Sequence, residues 1–168
     1  MKRLLVMRHA KSDWDAGARS DHARPLNRRG VDSARLMGRL ISAIGEQPDL
    51  VLTSSAVRAA TTAELAADSG AWGCEIRPTD SLYEADPEAV IQLLDGIPSV
   101  VERLLIVGHQ PTWSGVVHRL TGGSVSMRTA TVAVVDLMLG SSWAHGGDLS
   151  GELVAVLQPR HFADVRLD

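Results

Sequence analysis

Three short apolar runs, spaced about 50 residues apart, constrain this chain most. They are Leu4 to Met7, the segment from Asp49 to Thr53, and Leu104 to Val107. Each is too short for a stable helix and is apolar at consecutive positions, so as a strand it must be covered on both faces. Strands of that kind belong to the centre of a parallel sheet. Parallel neighbours need long crossovers, and helical patterns fill the intervals here. The reading is an α/β fold with a mostly parallel sheet. A length of 168 residues suits one domain over 1–168.

The intervals can be read in turn. Residues 10–27 are polar and aperiodic, a loop long enough to expect a function for it. Asn27 can cap a helix to about Ile44, with Val31, Ala34, Leu40 and Ile41 near helical spacing and Gly45 and Pro48 beyond its end. Ser54 or Ser55 can cap a second helix to about Ser69, stopped by Gly70. Cys74 to Arg77 reads as a short strand with Cys74 as a core filler. Asp86-Pro87 opens a helix to about residue 95, and Pro111 another to about Leu120. Residues 131–139 and 152–158 read as strands, joined as a hairpin by the Gly/Ser-rich stretch between them.

Composition narrows the partners. The formal charge is -3, which argues against a basic coat for nucleic acid, although local arginine clusters remain open. No run approaches the ~18 apolar residues of a membrane span. The apolar start breaks at Arg8-His9, too early for a secretory h-region. With Cys74 as the only cysteine, the expected setting is a reducing one, the cytoplasm.

The three runs end in reactive residues. The first leads into Arg8-His9, the second into Ser54-Ser55 and then Arg58, the third through Gly108 into His109. In open α/β sheets, ligands bind beyond the carboxyl ends of the strands, so these residues are expected to converge. Two arginines with helix N-termini nearby, Arg58 in the first turn of one of them, suit a phosphoryl group, which a guanidinium grips bidentately and a helix dipole favours. A neutral histidine can attack phosphorus, and a second can stabilise charge on the transferring group. His9 and His109 could in principle hold a metal, but no carboxylate or cysteine stands at metal-ligand spacing, and no cofactor is implied.

The stretch Arg8-His9-Ala10-Lys11-Ser12-Asp13-Trp14 resembles the Arg-His-Gly signature of the histidine phosphatase (phosphoglycerate mutase-like) superfamily, most closely in its SixA-type phosphohistidine phosphatases. The pieces that follow keep the family's order: Arg24-Pro25-Leu26 to Gly30, Ser54 with Arg58 and Thr62, Leu82-Tyr83-Glu84, and Val107-Gly108-His109-Gln110-Pro111. Ala10 replaces the family's glycine, and Ser55 the usual proline. The resemblance implies a three-layer α/β/α sandwich of the phosphoglycerate mutase-like kind. It implies His9 as nucleophile, phosphoryl binding by Arg8, Arg58, His9 and His109, and Glu84 as proton donor.

Around this set, Ser12 and the backbone of Gln110 are possible phosphate contacts, and Lys11 a possible substrate contact. Trp14 either walls the site or anchors its loop. Arg19, Arg24 and Arg28 read as a solvated face, with a substrate-facing rim as the other reading. His22, His118, His145 and His161 read as structural or surface residues. Some 25 residues separate Glu84 from His109, enough for one helix and one strand but not for a lid domain. An open site suits a phosphatase acting on a phosphorylated protein. The alternatives are a phosphomonoesterase for small phosphorylated metabolites and, in another class, a non-catalytic reader of phosphoproteins. The sequence does not indicate an oligomeric state.

Overall fold

The computed structural model describes residues 1–165. The chain runs β1 (Lys2–Arg8), α1 (Arg28–Ala43), β2 (Leu50–Ser54), α2 (Val57–Gly70), β3 (Glu75–Thr79), α3 (Pro87–Leu93), β4 (Arg103–Gly108), α4 (Thr112–Thr121), β5 (Val132–Leu137) and β6 (Gly151–Leu157). The strands form a six-stranded sheet in the order β3-β2-β4-β1-β5-β6. The first four in that order are parallel, and β5 and β6 add an antiparallel margin.

The apolar runs sit in the centre because their alternate side chains serve two cores. In β1, Leu4 and Val6 face one core, while Leu5 and Met7 face the other; in β4, Leu104 and Ile106 divide from Leu105 and Val107 in the same way. The first core is closed by α3 and α4 through Val90, Ile91, Trp113 and Val117. The second is closed by α1 and α2 through Met37, Ile41, Ala59 and Ala63. This is the three-layer sandwich, and no segment is inserted over the strand ends between α3 and β4 except a short 3-10 turn at Leu94–Gly96.

Two helix starts follow the sequence reading. Asn27 Oδ1 accepts from the Gly30 N–H at 2.9 Å, and Asp86 Oδ1 from that of Ala89 at 2.9 Å. The start of α2 does not. Its cap is Ala56, with no side-chain bond, because the Ser54 and Ser55 hydroxyls also serve neighbours outside the helix. Gly70 lies inside α2, and Ala71 takes the left-handed position after it. Strand β3 begins one residue later than expected, leaving Cys74 half-buried beside it. The segment joining β5 to β6 is more than a turn. It tucks Trp143 wholly into the first core, where its indole N–H donates to the Val101 carbonyl at 2.7 Å.

Candidate active site

Strand order assembles the site. β4 lies between β2 and β1, with Arg8 opposite Gly108 and Thr53 opposite Val107. The residues that follow these strands therefore emerge side by side. The His9 and His109 rings lie 5.2 Å apart between centroids. Arg58, in the first turn of α2, reaches His109 from the other side, with Nη2 at 3.4 Å from Nδ1. The expected Arg8, His9, Arg58 and His109 are thus brought together.

Hydrogen bonds fix the tautomers. His9 Nδ1 lies 2.7 Å from the Ala10 carbonyl oxygen. A carbonyl only accepts, so Nδ1 carries the proton and the Nε2 lone pair is available. Burial pushes the His9 imidazole down to about 3, with the Ala10 bond opposing and His109, Arg58 and Arg8 adding to the shift. His9 is therefore neutral near pH 7, as a nucleophile must be. A guanidinium only donates, so His109 Nδ1 accepts from Arg58, and its Nε2–H donates to Ser54 Oγ at 2.8 Å. Burial, then Arg58, lowers His109 to about 4.

The arginines are held by groups the sequence reading did not single out. Asp21, in the long loop, accepts from Arg58 twice, through its backbone oxygen at 2.6 Å and its carboxylate at 2.9 Å. The same carboxylate pairs with Arg24 at 2.8 Å and accepts from the Tyr83 hydroxyl at 3.1 Å. The Arg24 bond first, opposed by desolvation and aided by Arg58, holds Asp21 down to about 2. Arg8 Nη1 donates to the Met127 carbonyl at 3.0 Å, and the Ala130 N–H closes on the Arg8 and His9 carbonyls. The Nε atoms of Arg8 and Arg58 are buried without a partner among the described residues. Thr62 ties α2 to the first loop, accepting from the Ala10 N–H at 3.0 Å. A carboxylate within an aperiodic loop gives no period to read. The only sequence signal for Asp21 was that buried arginines need an anion and the loop supplies several.

The remaining expectations divide. Glu84 is exposed, has a left-handed backbone (φ 55°), and lines a cavity of about 330 Å³ with Arg58, Tyr83 and His109. Gln110 lines it too, but its side chain caps α4, Oε1 accepting from the Ser114 N–H at 2.8 Å. Ser12 is buried away from that cavity and accepts from Arg24. Arg24 is not part of a solvated face: it is 8% exposed, bonded to Ser12 and Asp21, and stacked 3.6 Å from the Trp14 ring centroid. Trp14 is thus a loop anchor, itself largely exposed. Lys11, Arg19 and Arg28 are exposed. His22 is structural but close by, bonded to Ser55 and set edge-on to Tyr83. His145 bonds the Ile91 carbonyl, while His118 and His161 are exposed.

A neutral imidazole with a free lone pair, flanked by two arginines with unsatisfied N–H groups, can accept a phosphoryl group and offset its charge. Known proteins resemble the chain in sequence and in fold. The chain is 36% identical over 165 residues to the uncharacterized protein ML1117 of Mycobacterium leprae, covering 92% of this chain and all of that one. The candidate phosphohistidine phosphatase SixA of Agrobacterium tumefaciens superposes with a TM-score of 0.80 at 26% identity, covering 94% of this chain and 98% of its own. A protein histidine phosphatase SixA complexed with tungstate gives 0.81 at 25%, covering 95% and 99%. No helix among the described residues is long and apolar enough to cross a membrane. Residues 4–90 match the histidine phosphatase superfamily, branch 1, and the chain belongs to that family.

Proposed function

We propose that this phosphatase passes a phosphoryl group through His9 to water, and that its substrate is a phosphohistidine side chain of a protein. The observation that carries the reading is the His9 tautomer: Nδ1–H is committed to the Ala10 carbonyl and Nε2 is left free. In the first step Nε2 attacks phosphorus, and the P–N bond to the substrate imidazole breaks. The departing nitrogen takes a proton from Glu84, or leaves as neutral imidazole when the ring's other nitrogen already carries a proton, and imidazole is a better leaving group than an alkoxide. In the second step water attacks the phosphorus on His9, Glu84 accepts the water's proton, and inorganic phosphate departs. Arg8 and Arg58 offset the charge on the phosphoryl oxygens in both steps. His109, neutral in the free site, takes a proton from solvent as the incoming anion favours its charged form, and then donates to that anion. The Ala10 carbonyl stabilises the cationic phosphoimidazole, as an acceptor for its remaining N–H.

The uncovered strand ends support a protein substrate, since nothing folds over the site between Glu84 and His109 except α3, its 3-10 turn and β4. The tungstate held by a SixA neighbour is an oxyanion of phosphate-like shape, consistent with the arginine pair. A substrate panel tests the assignment. A phosphohistidine-bearing protein should be hydrolysed with a kcat/KM at least ~100-fold above those of sugar phosphates and nucleotides, a difference of about 2.7 kcal/mol in transition-state binding. Equal or reversed ratios would return the assignment to a small-metabolite phosphomonoesterase.

A further inference from the structure

The chain is acidic overall, yet among the described residues its unpaired cations are, with one exception, gathered on one side. Sixteen of its lysines and arginines lie among the described residues, and seven of these pair with carboxylates, as Arg3 does with Glu46 and Asp136. Of the nine left over, all but Arg19 line two adjoining depressions. The larger, about 850 Å³, runs along the outer face of α1 past Arg28, Arg35 and Arg39. The smaller, about 340 Å³, continues inward past Lys11 and Arg128 to Arg8, the residue before His9. Arg29 and Arg160 belong to both, so the two form one groove. Asp32 is the only carboxylate residue on its wall among the described residues.

We propose that this groove docks an acidic stretch of the phosphoprotein substrate, with the phosphoryl group delivered at its Arg8 end. The inference rests on the phosphatase reading above and adds how a protein substrate is chosen. Arg28 to Arg39 spans 11 residues of helix, about 16 Å. That is the length of about five residues of extended chain, and longer than one additional phosphate requires. Among the described residues, eight cations face one carboxylate, which complements an acidic strand and steers its approach. Among the described residues the lining has no aromatic side chain to stack a base on, which favours a peptide over single-stranded nucleic acid. The α1 arginines are exposed, so changing them leaves the core untouched.

Two measurements on the whole protein test this. In the first, wild type and an R35E/R39E variant are assayed on phosphohistidine peptides with glutamate-rich or neutral flanks, and on p-nitrophenyl phosphate. Wild type should prefer the acidic peptide by at least ~10-fold in KM at low salt, and the preference should fade as salt shortens the screening length. The variant should lose the preference while turning over p-nitrophenyl phosphate within about twofold of wild type, because rim charges alter encounter rather than chemistry. Equal KM for the two peptides, or a preference kept by the variant, overturns the proposal. The second measures anisotropy of a labelled, unphosphorylated glutamate-rich peptide and of an oligonucleotide of equal charge. It stands even if phosphohistidine is not the substrate. Peptide binding lost in the variant supports the groove; no peptide binding, or tighter oligonucleotide binding, overturns it.

Discussion

The free lone pair on His9 depends on few atoms, and those atoms also set a pH response. His9 is depressed to about 3 and His109 to about 4, burial being the first cause in both. In the unfolded chain both titrate near ~6.5. Between those values the unfolded state binds more protons than the folded one, so stability falls as pH is lowered from about 6.5 toward 4. Urea unfolding across that window should show a steeper loss for wild type than for a His9→Asn/His109→Asn variant; equal slopes would mean the imidazoles are not held neutral by the fold. At this scale the sequence was readable where a residue directly follows a strand or enters a helix, as Arg8, His9, Arg58 and His109 do. Asp21 was not readable, because it acts from a loop without period, and its partners lie as far away as Tyr83. Arg24 was misread for the same reason: its burial comes from contacts with Ser12 and Trp14 across the loop, not from any pattern of its own.

At the scale of elements, α2 matters most, since it carries both Arg58 and the Thr62 that bonds Ala10. Its place is set by close contact with α1. A Cβ added at Gly38 would sit 2.0 Å from the Ala66 carbonyl oxygen, so the helices must part to admit it. Alanine in a helix interior gains about 1 kcal/mol over glycine in propensity. Overpacking against a backbone atom costs about 1–3 kcal/mol and here is the larger effect, because no flexible side chain can yield. Gly38→Ala should therefore lower the free energy of urea unfolding, and kcat/KM should fall with it as Arg58 is displaced. A neutral or stabilising result would show that α1 and α2 have slack. Element identities were legible from period and caps: the expected helices and strands all form, with boundaries shifted by a residue or two. The exception was the cap of α2, where composition suggested Ser54 or Ser55. Those hydroxyls instead bond His109 and His22, contacts that only the assembled site reveals.

Over the whole molecule, the sequence showed that the three apolar strands are central in a mostly parallel sheet but not how they are ordered. That β4 stands between β1 and β2 follows from the paired registers, and it is what sets His109 between His9 and Arg58. Nor did the sequence show that the unpaired positive charge of the described residues collects along α1 and the groove beside it, because that depends on which arginines find carboxylates after folding. The order of strands, the neutral imidazoles and the two arginines all converge on one chemical claim, that His9 accepts the phosphoryl group. The most direct test is a rapid quench into alkali during turnover of a labelled phosphodonor, followed by mapping of the label. The account predicts an acid-labile, alkali-stable phosphate on His9. Label on any other residue, with His9→Ala turning over at the wild-type rate, would contradict it.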